Sequence, residues 1–485
     1  GDIPFFTALP ECASLMIGPN QHIEGCFREP SFKLAVNRLK TLGPKDLDQQ
    51  IGFIAGTLYA HVAHDVVHVS AESKDTNLDK GALPTPQQLT TQALVIAEEL
   101  AARAIRAADG SVTWIAPQHL PMAERYQFQP LGYDLYSGAC GIALFLAAVE
   151  KITGGVGLRE LALGALQPLQ QTLRYYGQRA ARELGIGGAT GLASVAYALT
   201  RVSQWLNEPA LLEDARQAAR FITFADILKD NALDILSGSA GVILGLFALY
   251  DISPDDSIFE RIIAAGHRLV QTRTKSETAY QTWPTLDRKL LTGFSHGAAG
   301  IAYALLRLYA VTGDEDLLAV ASEGIAYESS VFVPGVGNWP DFRVEQQPSF
   351  MTTWCHGAPG IGLARLGGLS ILDNAQIRKD IEIALQTTQA FGIQDMDHLC
   401  CGNLGRIELL LEAASRLSRP ELAEVASRQA ARVLKRAEHT GSFVVHPLLP
   451  RQIYSPGFFL GTAGIGYTLL RLAHPDLLPC ILLWE

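Results

Sequence analysis

The sequence predicts an all-α fold: an α/α toroid, a double-layer barrel of seven helical hairpins with inner and outer helices, carrying a small N-terminal helical appendage. Two observations predict it. A glycine-x-x-glycine turn that opens an apolar stretch returns seven times, and an amphipathic stretch lies ahead of each return. A third favours closure: the last apolar stretch is as free of polar residues as the middle ones.

Residues 1–88 do not join the repeat. Within them, "DLDQQIGFIAGTLYAHVAHD" reads as helix, and "AESKDTNLDKGALPTPQQ" (71–88) reads as a polar linker broken by prolines. The segment is an appendage or the remnant of a preceding domain. His61, His64 and His68 share one face of a helix there, which reads as a packed or solvated face rather than a metal site.

From residue 89 onward the repeat takes over. The turns are "SGACGIALFL" (137), "GGATGLASVAYAL" (187), "SGSAGVILGL" (237), "HGAAGIAYALLRL" (296), "HGAPGIGLARL" (356), "CGNLGRIELLL" (401) and "LGTAGIGYTLLRL" (460). Their spacing of roughly 45 to 60 residues marks a repeat architecture. The apolar stretch after each turn describes a helix buried on all sides. The stretches ahead, such as "LTTQALVIAEELAARAIRAA" (89–108) and "IFERIIAAGHRLVQT" (258), place apolar residues at three- and four-residue steps, as on a helix with one wet face. The expectation is seven hairpins, each an outer helix followed by an inner one. An open row would expose two apolar ends and need polar caps, which the last copy does not supply. A ring solves this and gathers all seven turns at one end; an open solenoid is the competing arrangement.

Composition narrows the function. The chain has 485 residues, is 48% hydrophobic and carries a formal net charge of −10. That charge, without a basic stripe, argues against nucleic acid. No apolar run reaches the ~18 to 20 residues of a membrane span, and "GDIPFFTALP" lacks the features of a secretory signal. The missing initiator methionine fits an excised or processed piece. Seven sparse cysteines argue against a secreted disulfide framework and for a reducing cytoplasm.

With the turns on one face, the residues in and before them converge: Asp234, His296, Cys355, His356, His398, Cys400 and Cys401. Titratable and metal-binding groups then collect at the mouth of an apolar barrel. Three thiols so placed suit a zinc ion with an open fourth position. Adjacent cysteines bond each other poorly, so the pair at 400 and 401 is better suited to one metal than to a disulfide. Small core-packing cysteines remain the other reading. Asp234 equally fits a turn cap. Cys12, Cys26, Cys140 and Cys480 have no partner at motif spacing.

The turns "TGFSHGAAGIAYAL", "TWCHGAPGIGLAR", "HLCCGNLGR" and "LGTAGIGYTLLRL" resemble those of the lanthionine synthetase C-like cyclases, and the resemblance runs from about residue 90 to the C-terminus. "DIPFF" and "DLDQQIGFIAGTL" look like the end of the dehydratase region of bifunctional class II synthetases. The Cys-Cys-Gly form resembles the prochlorosin-synthetase type, where most relatives have Cys-His-Gly. The resemblance implies zinc held by Cys355, Cys400 and Cys401, and His296 as acid/base with Asp234 orienting it. His356 is expected to be a second proton donor or a substrate contact, and His398 a support behind the metal ligands or a structural group.

The implied reaction adds a cysteine thiolate of a dehydrated, leader-bearing precursor peptide to dehydroalanine or dehydrobutyrine, closing a thioether ring. Some relatives carry an arginine four residues before the metal-binding cysteine; here that position is Met351. Two other functions compete. One is a thiol- or glutathione-binding relative that closes no rings. The other is a carbohydrate-active α/α barrel, which needs two flanking carboxylates and has no use for clustered thiols.

Overall fold

The computed structural model describes residues 6–18, 21–62, 82–120, 125–343, 349–446 and 453–485. It divides into two compact units, Gly1–Leu58 and Tyr59–Glu485. The first holds an antiparallel sheet of Thr7–Ala8, Leu15–Gly18 and Gln21–Ile23, followed by helix α1 (Ser31–Thr41) and most of α2 (Pro44–Val62). The appendage is thus not wholly helical, because strands of two to four residues are too short to show alternation in sequence. The histidine-bearing stretch 61–68 lies outside the residues whose side chains are described.

In the second unit, inner and outer helices alternate along the chain. The outer helices are α3 (Pro86–Arg103), α5 (Arg159–Leu184), α7 (Ala210–Phe221), α10 (Asp256–Gln271), α12 (Glu315–Val331), α14 (Ala375–Phe391) and α16 (Pro420–Thr440), with a short α8 (Phe224–Lys229) after α7. The inner ones are α4 (Ala139–Thr153), α6 (Leu192–Leu206), α9 (Ser239–Ile252), α11 (Ala298–Thr312), α13 (Ala358–Gly368), α15 (Asn403–Arg416) and α17 (Thr462–Ala473). The layers differ as their sequences require. In α11 every residue from Ala298 to Leu306 is buried. In α10 only Ile258, Ile262, Ala265, Gly266 and Leu269 are, one stripe worth about 1.5–3 kcal/mol for each large apolar side chain.

The inner helices close. Each packs on the next, from α4 through α6, α9, α11, α13 and α15 to α17, and α17 packs back on α4. The pairing of the layers differs from expectation. Each outer helix packs chiefly on the inner helix before it, α5 on α4, α7 on α6 and so on to α16 on α15, while α3 packs on α17. The links 207–209, 253–255 and 313–314 from inner to outer helix are short, and short links make antiparallel neighbours. The return links are longer and carry the glycine turns. The first outer helix is therefore left to cover the last inner one, which fastens the ring.

A closed belt of backbone hydrogen bonds joins the seven turns edge to edge. Tyr136 N–H donates to Ala189 O, Gly188 to Ile235, Ile235 to Ser295, Ser295 to Cys355, Cys355 to Cys400, Cys400 to Phe459, and Phe459 back to Tyr136, at 2.8–3.3 Å. All seven turns thus share one end of the barrel. The glycines permit the tight approach: a Cβ on Gly360 would lie 1.9 Å from Trp354 O, and Gly357 adopts φ 88°.

Beneath the belt the lumen is filled. Trp484 stands among Phe294, Trp354 and Phe459, with ring centroids 6.2–6.3 Å away, and its Nε1–H donates to Gly188 O at 2.9 Å. Tyr303 and Tyr197 hydroxyls hold the Leu483 and Glu485 carbonyls. The turns rest on a buried aromatic floor.

Candidate active site

Four of the belt's turns carry the groups singled out in sequence. The Cys355 turn enters α13, and the turn with Cys400 and Cys401 enters α15. The belt bond from Cys355 N–H to Cys400 O, 3.3 Å, sets them side by side. The three sulfurs meet: Cys355 Sγ lies 3.2 Å from Cys401 Sγ, Cys401 Sγ lies 3.5 Å from Cys400 Sγ, and all three fall within 4.8 Å of one another. Sulfurs sharing one tetrahedral ion with ~2.3 Å bonds stand about 3.8 Å apart, so this group can hold a single metal ion. All seven cysteines are free, and Cys12, Cys26, Cys140 and Cys480 take no part in the cluster.

The electrostatics point the same way. Hydrogen bonds from Cys400 and then Cys401 hold the Cys355 thiol well below its ordinary range. Its sulfur in turn pushes Cys400 and Cys401 well above theirs. A dication among the three sulfurs would offset the repulsion and the burial that oppose ionising them together. Two hydroxyls touch the sulfurs from outside. Tyr136 O–H donates to Cys400 Sγ at 3.0 Å, and Thr353 Oγ1 lies 3.2 Å from Cys355 Sγ.

The histidines stand on the neighbouring turn. Ser295 N–H and Phe294 N–H both donate to Cys355 O, which ties the His296 turn to the cysteine turn. His296 Nδ1 lies 2.5 Å from Asp234 Oδ2, and the rings of His296 and His356 stack with centroids 6.0 Å apart. Asp234 is also the turn cap, since its Oδ1 accepts from Ser237 N–H at 2.8 Å. Asp134 provides a comparison in the first turn. It caps Ser137 N–H at 2.7 Å in the same way. Asp234 therefore makes both contacts, one on each carboxylate oxygen.

His356 is buried, with Nδ1 3.3 Å from Thr292 O and Nε2 without a hydrogen-bond partner. Burial holds it below the ordinary imidazole value. His398 Nδ1 accepts Cys401 N–H at 3.3 Å, and burial pushes it down to about 4, so it is a neutral strut for the cysteine turn.

Two residues escaped the sequence reading. Arg343 forks onto Asp341 with contacts of 2.8–3.1 Å and reaches Met351 Sδ at 3.0 Å. A guanidinium thus stands against the side chain at 351, supplied from eight residues earlier. Opposite charge on Asp341, Cys355 and Cys401 holds it above its ordinary value despite burial. Tyr136 is the other. Aligning the turns on their first glycine puts Tyr136 in one column with Cys355 and Cys400, and Cys401 in one column with His296 and His356. That alignment was the available signal.

A sequence profile described as "Lanthionine synthetase C-like protein" matches residues 129–483. The chain belongs to that family. Among curated relatives of this lanthionine synthetase C-like chain is the lacticin 481/lactococcin biosynthesis protein LcnDR2 of Lactococcus lactis subsp. lactis, 20% identical over 393 residues. The match covers 78% of this chain and 40% of the relative, so the chain spans about two fifths of that protein's length. Among solved structures, nisin cyclase superposes with a TM-score of 0.52 at 19% identity, covering 70% of this chain and 89% of that one. The likeness agrees with the helical toroid. Among the described residues no helix is long and apolar enough to cross a membrane.

Proposed function

We propose that this lanthionine synthetase C-like chain is a zinc-dependent peptide cyclase, with the cyclase spanning residues 89–485 and residues 1–88 a remnant of a dehydratase domain. The observation that carries the reading is the meeting of three sulfurs from two turns beside an Asp-oriented histidine. Its substrate is a dehydrated precursor peptide with its leader, and its compartment a reducing cytoplasm, in keeping with seven free cysteines.

Cys355, Cys400 and Cys401 are the residues that would hold zinc. Bound there, zinc supplies the Lewis acidity that ionises an incoming thiol, whose free pKa is ~8.5, at neutral pH. In the reaction, the peptide sulfur bonds to the β-carbon of dehydroalanine or dehydrobutyrine. The π pair moves toward the α-carbon and its carbonyl as an enolate, and a proton on the α-carbon completes the ring. His296, fixed through Nδ1 by Asp234, offers Nε2 to carry that proton. His356 supplies a second polar nitrogen behind it. Arg343 presents positive charge to the same space, where negative charge develops on the enolate. Three thiolates around a dication leave one net negative charge, against none for two thiolates and a histidine, which favours a more nucleophilic incoming sulfur.

The test is to incubate the protein with a dehydrated precursor peptide, alkylate the remaining thiols and weigh the product. Loss of alkylable cysteines without mass change supports ring closure. Cysteines that stay alkylable beside a zinc-loaded protein favour the non-cyclising thiol binder.

A further inference from the structure

An enzyme that adds sulfur to an activated alkene keeps three sulfurs of its own beside that alkene. Any of them could attack it. Cys400 Sγ would bond to the β-carbon, the π pair would move to the α-carbon and pick up a proton, and the enzyme would be left as a thioether adduct of its substrate. Something must distinguish the incoming sulfur from the resident ones.

The structure shows such a distinction at one of the three, Cys400. Tyr136 comes from the first turn of the ring, 264 positions from Cys400 in sequence, yet its hydroxyl reaches Cys400 Sγ at 3.0 Å. Its ring is fixed by stacking on Phe459, centroids 4.9 Å apart and planes 15° from parallel. Its backbone is fixed twice by the belt, as donor to Ala189 and acceptor from Phe459. Thr353 Oγ1 stands 3.2 Å from Cys355 Sγ, but its hydroxyl donates to His356 O at 3.0 Å, which leaves Tyr136 as the hydroxyl committed to a sulfur. A hydrogen bond to a thiolate withdraws charge from the sulfur lone pair and lowers its nucleophilicity.

We propose that Tyr136 is a chemoselectivity residue: its hydroxyl quenches Cys400 so that this metal ligand does not add to the dehydroamino acid in place of the peptide thiol. The inference rests on the zinc-cyclase reading above and adds a role for a residue that touches neither reacting carbon. Tyr136→Phe keeps the stacked ring and deletes only the donor.

The test uses the zinc-loaded full chain and methyl 2-acetamidoacrylate, the simplest dehydroalanine, with no peptide thiol present. Peptide mapping by mass spectrometry follows the adduct on Cys400. Labelling in Tyr136→Phe is expected about tenfold faster than in wild type, the change that one lost charge-assisted hydrogen bond produces at about 1.4 kcal/mol per decade. Cobalt-substituted protein gives a readout independent of activity. The sulfur-to-cobalt charge-transfer band should move to lower energy in Tyr136→Phe, because the freed thiolate is a stronger donor. Equal labelling rates together with an unmoved band would overturn the proposal. Metal content is measured on both proteins: a wild type that takes up no zinc or cobalt sinks the zinc reading itself, whereas a metal-loaded, ring-closing wild type indistinguishable from Tyr136→Phe sinks only this inference.

Discussion

Asp234 divides its carboxylate, one oxygen capping Ser237 N–H at 2.8 Å and the other 2.5 Å from His296 Nδ1. Asp134 performs the first task alone. The pair makes a controlled comparison. Asp234→Asn keeps an oxygen for the cap but no longer holds the imidazole with a charge. It is expected to slow ring closure about 10²–10⁴-fold, the usual worth of a positioned acid/base, with zinc content unchanged. Asp134→Asn should leave the rate within a few-fold. Single-turnover kinetics on a dehydrated peptide read both.

Arg343 should matter to the rate and not to the metal. Arg343→Met removes the positive charge beside Met351 and is expected to lower the rate roughly 10- to 1000-fold while one zinc per chain is retained. Arg343→Lys should recover part of it, since the charge returns without the fork to Asp341. Loss of zinc in Arg343→Met would assign the residue to the scaffold.

Metal removal should expose a specific weakness. Cys355 Sγ and Cys401 Sγ lie 3.2 Å apart on different turns, so little motion is needed to bring them to bonding distance. Chelator-treated protein exposed to a mild thiol oxidant is expected to form the Cys355–Cys401 disulfide, and zinc-loaded protein to resist it. Tryptic mapping without reduction distinguishes this bond from any other.

The belt predicts which glycines are indispensable. Gly360→Ala would put a methyl 1.9 Å from Trp354 O, whereas the same change at Gly335 meets nothing within 4 Å. The first is expected to cost about 1–3 kcal/mol or more, with loss of metal, and the second almost nothing. Urea denaturation with metal analysis checks both.

The buried histidine under the cysteine turn gives a pH dependence of definite sign. Burial pushes His398 down to about 4, against ~6.5 when unfolded, so the folded protein binds fewer protons there. Its contribution is therefore present above pH ~6.5 and is lost as pH falls toward 4. The stability difference between wild type and His398→Gln should shrink by an amount on the order of 1–3 kcal/mol across that window. A difference independent of pH would contradict it.

Much of the ring was legible because one constraint repeats. A turn that tucks a helix start under its own carbonyl six residues back, as Gly360 does beneath Trp354, needs glycine in the same place each time. The layer pairing was not legible, since an amphipathic stretch between two apolar ones can serve either neighbour. Link length decides, as the two-residue link 313–314 shows against the long return through 332–357. In the candidate site, the meeting of Cys355, Cys400 and Cys401 and the approach of Asp234 to His296 could be anticipated because these residues sit in the motif itself. Arg343 was not. It reaches Met351 from an irregular loop, and a contact made across a loop leaves no periodic trace.

Zinc K-edge X-ray absorption on the purified chain tests the central claim most directly. Three sulfurs at ~2.3 Å around one zinc per chain, reduced to two in Cys401→Ala, is the result expected. Protein that purifies without zinc, or zinc whose shell is unchanged by Cys401→Ala, would contradict the account.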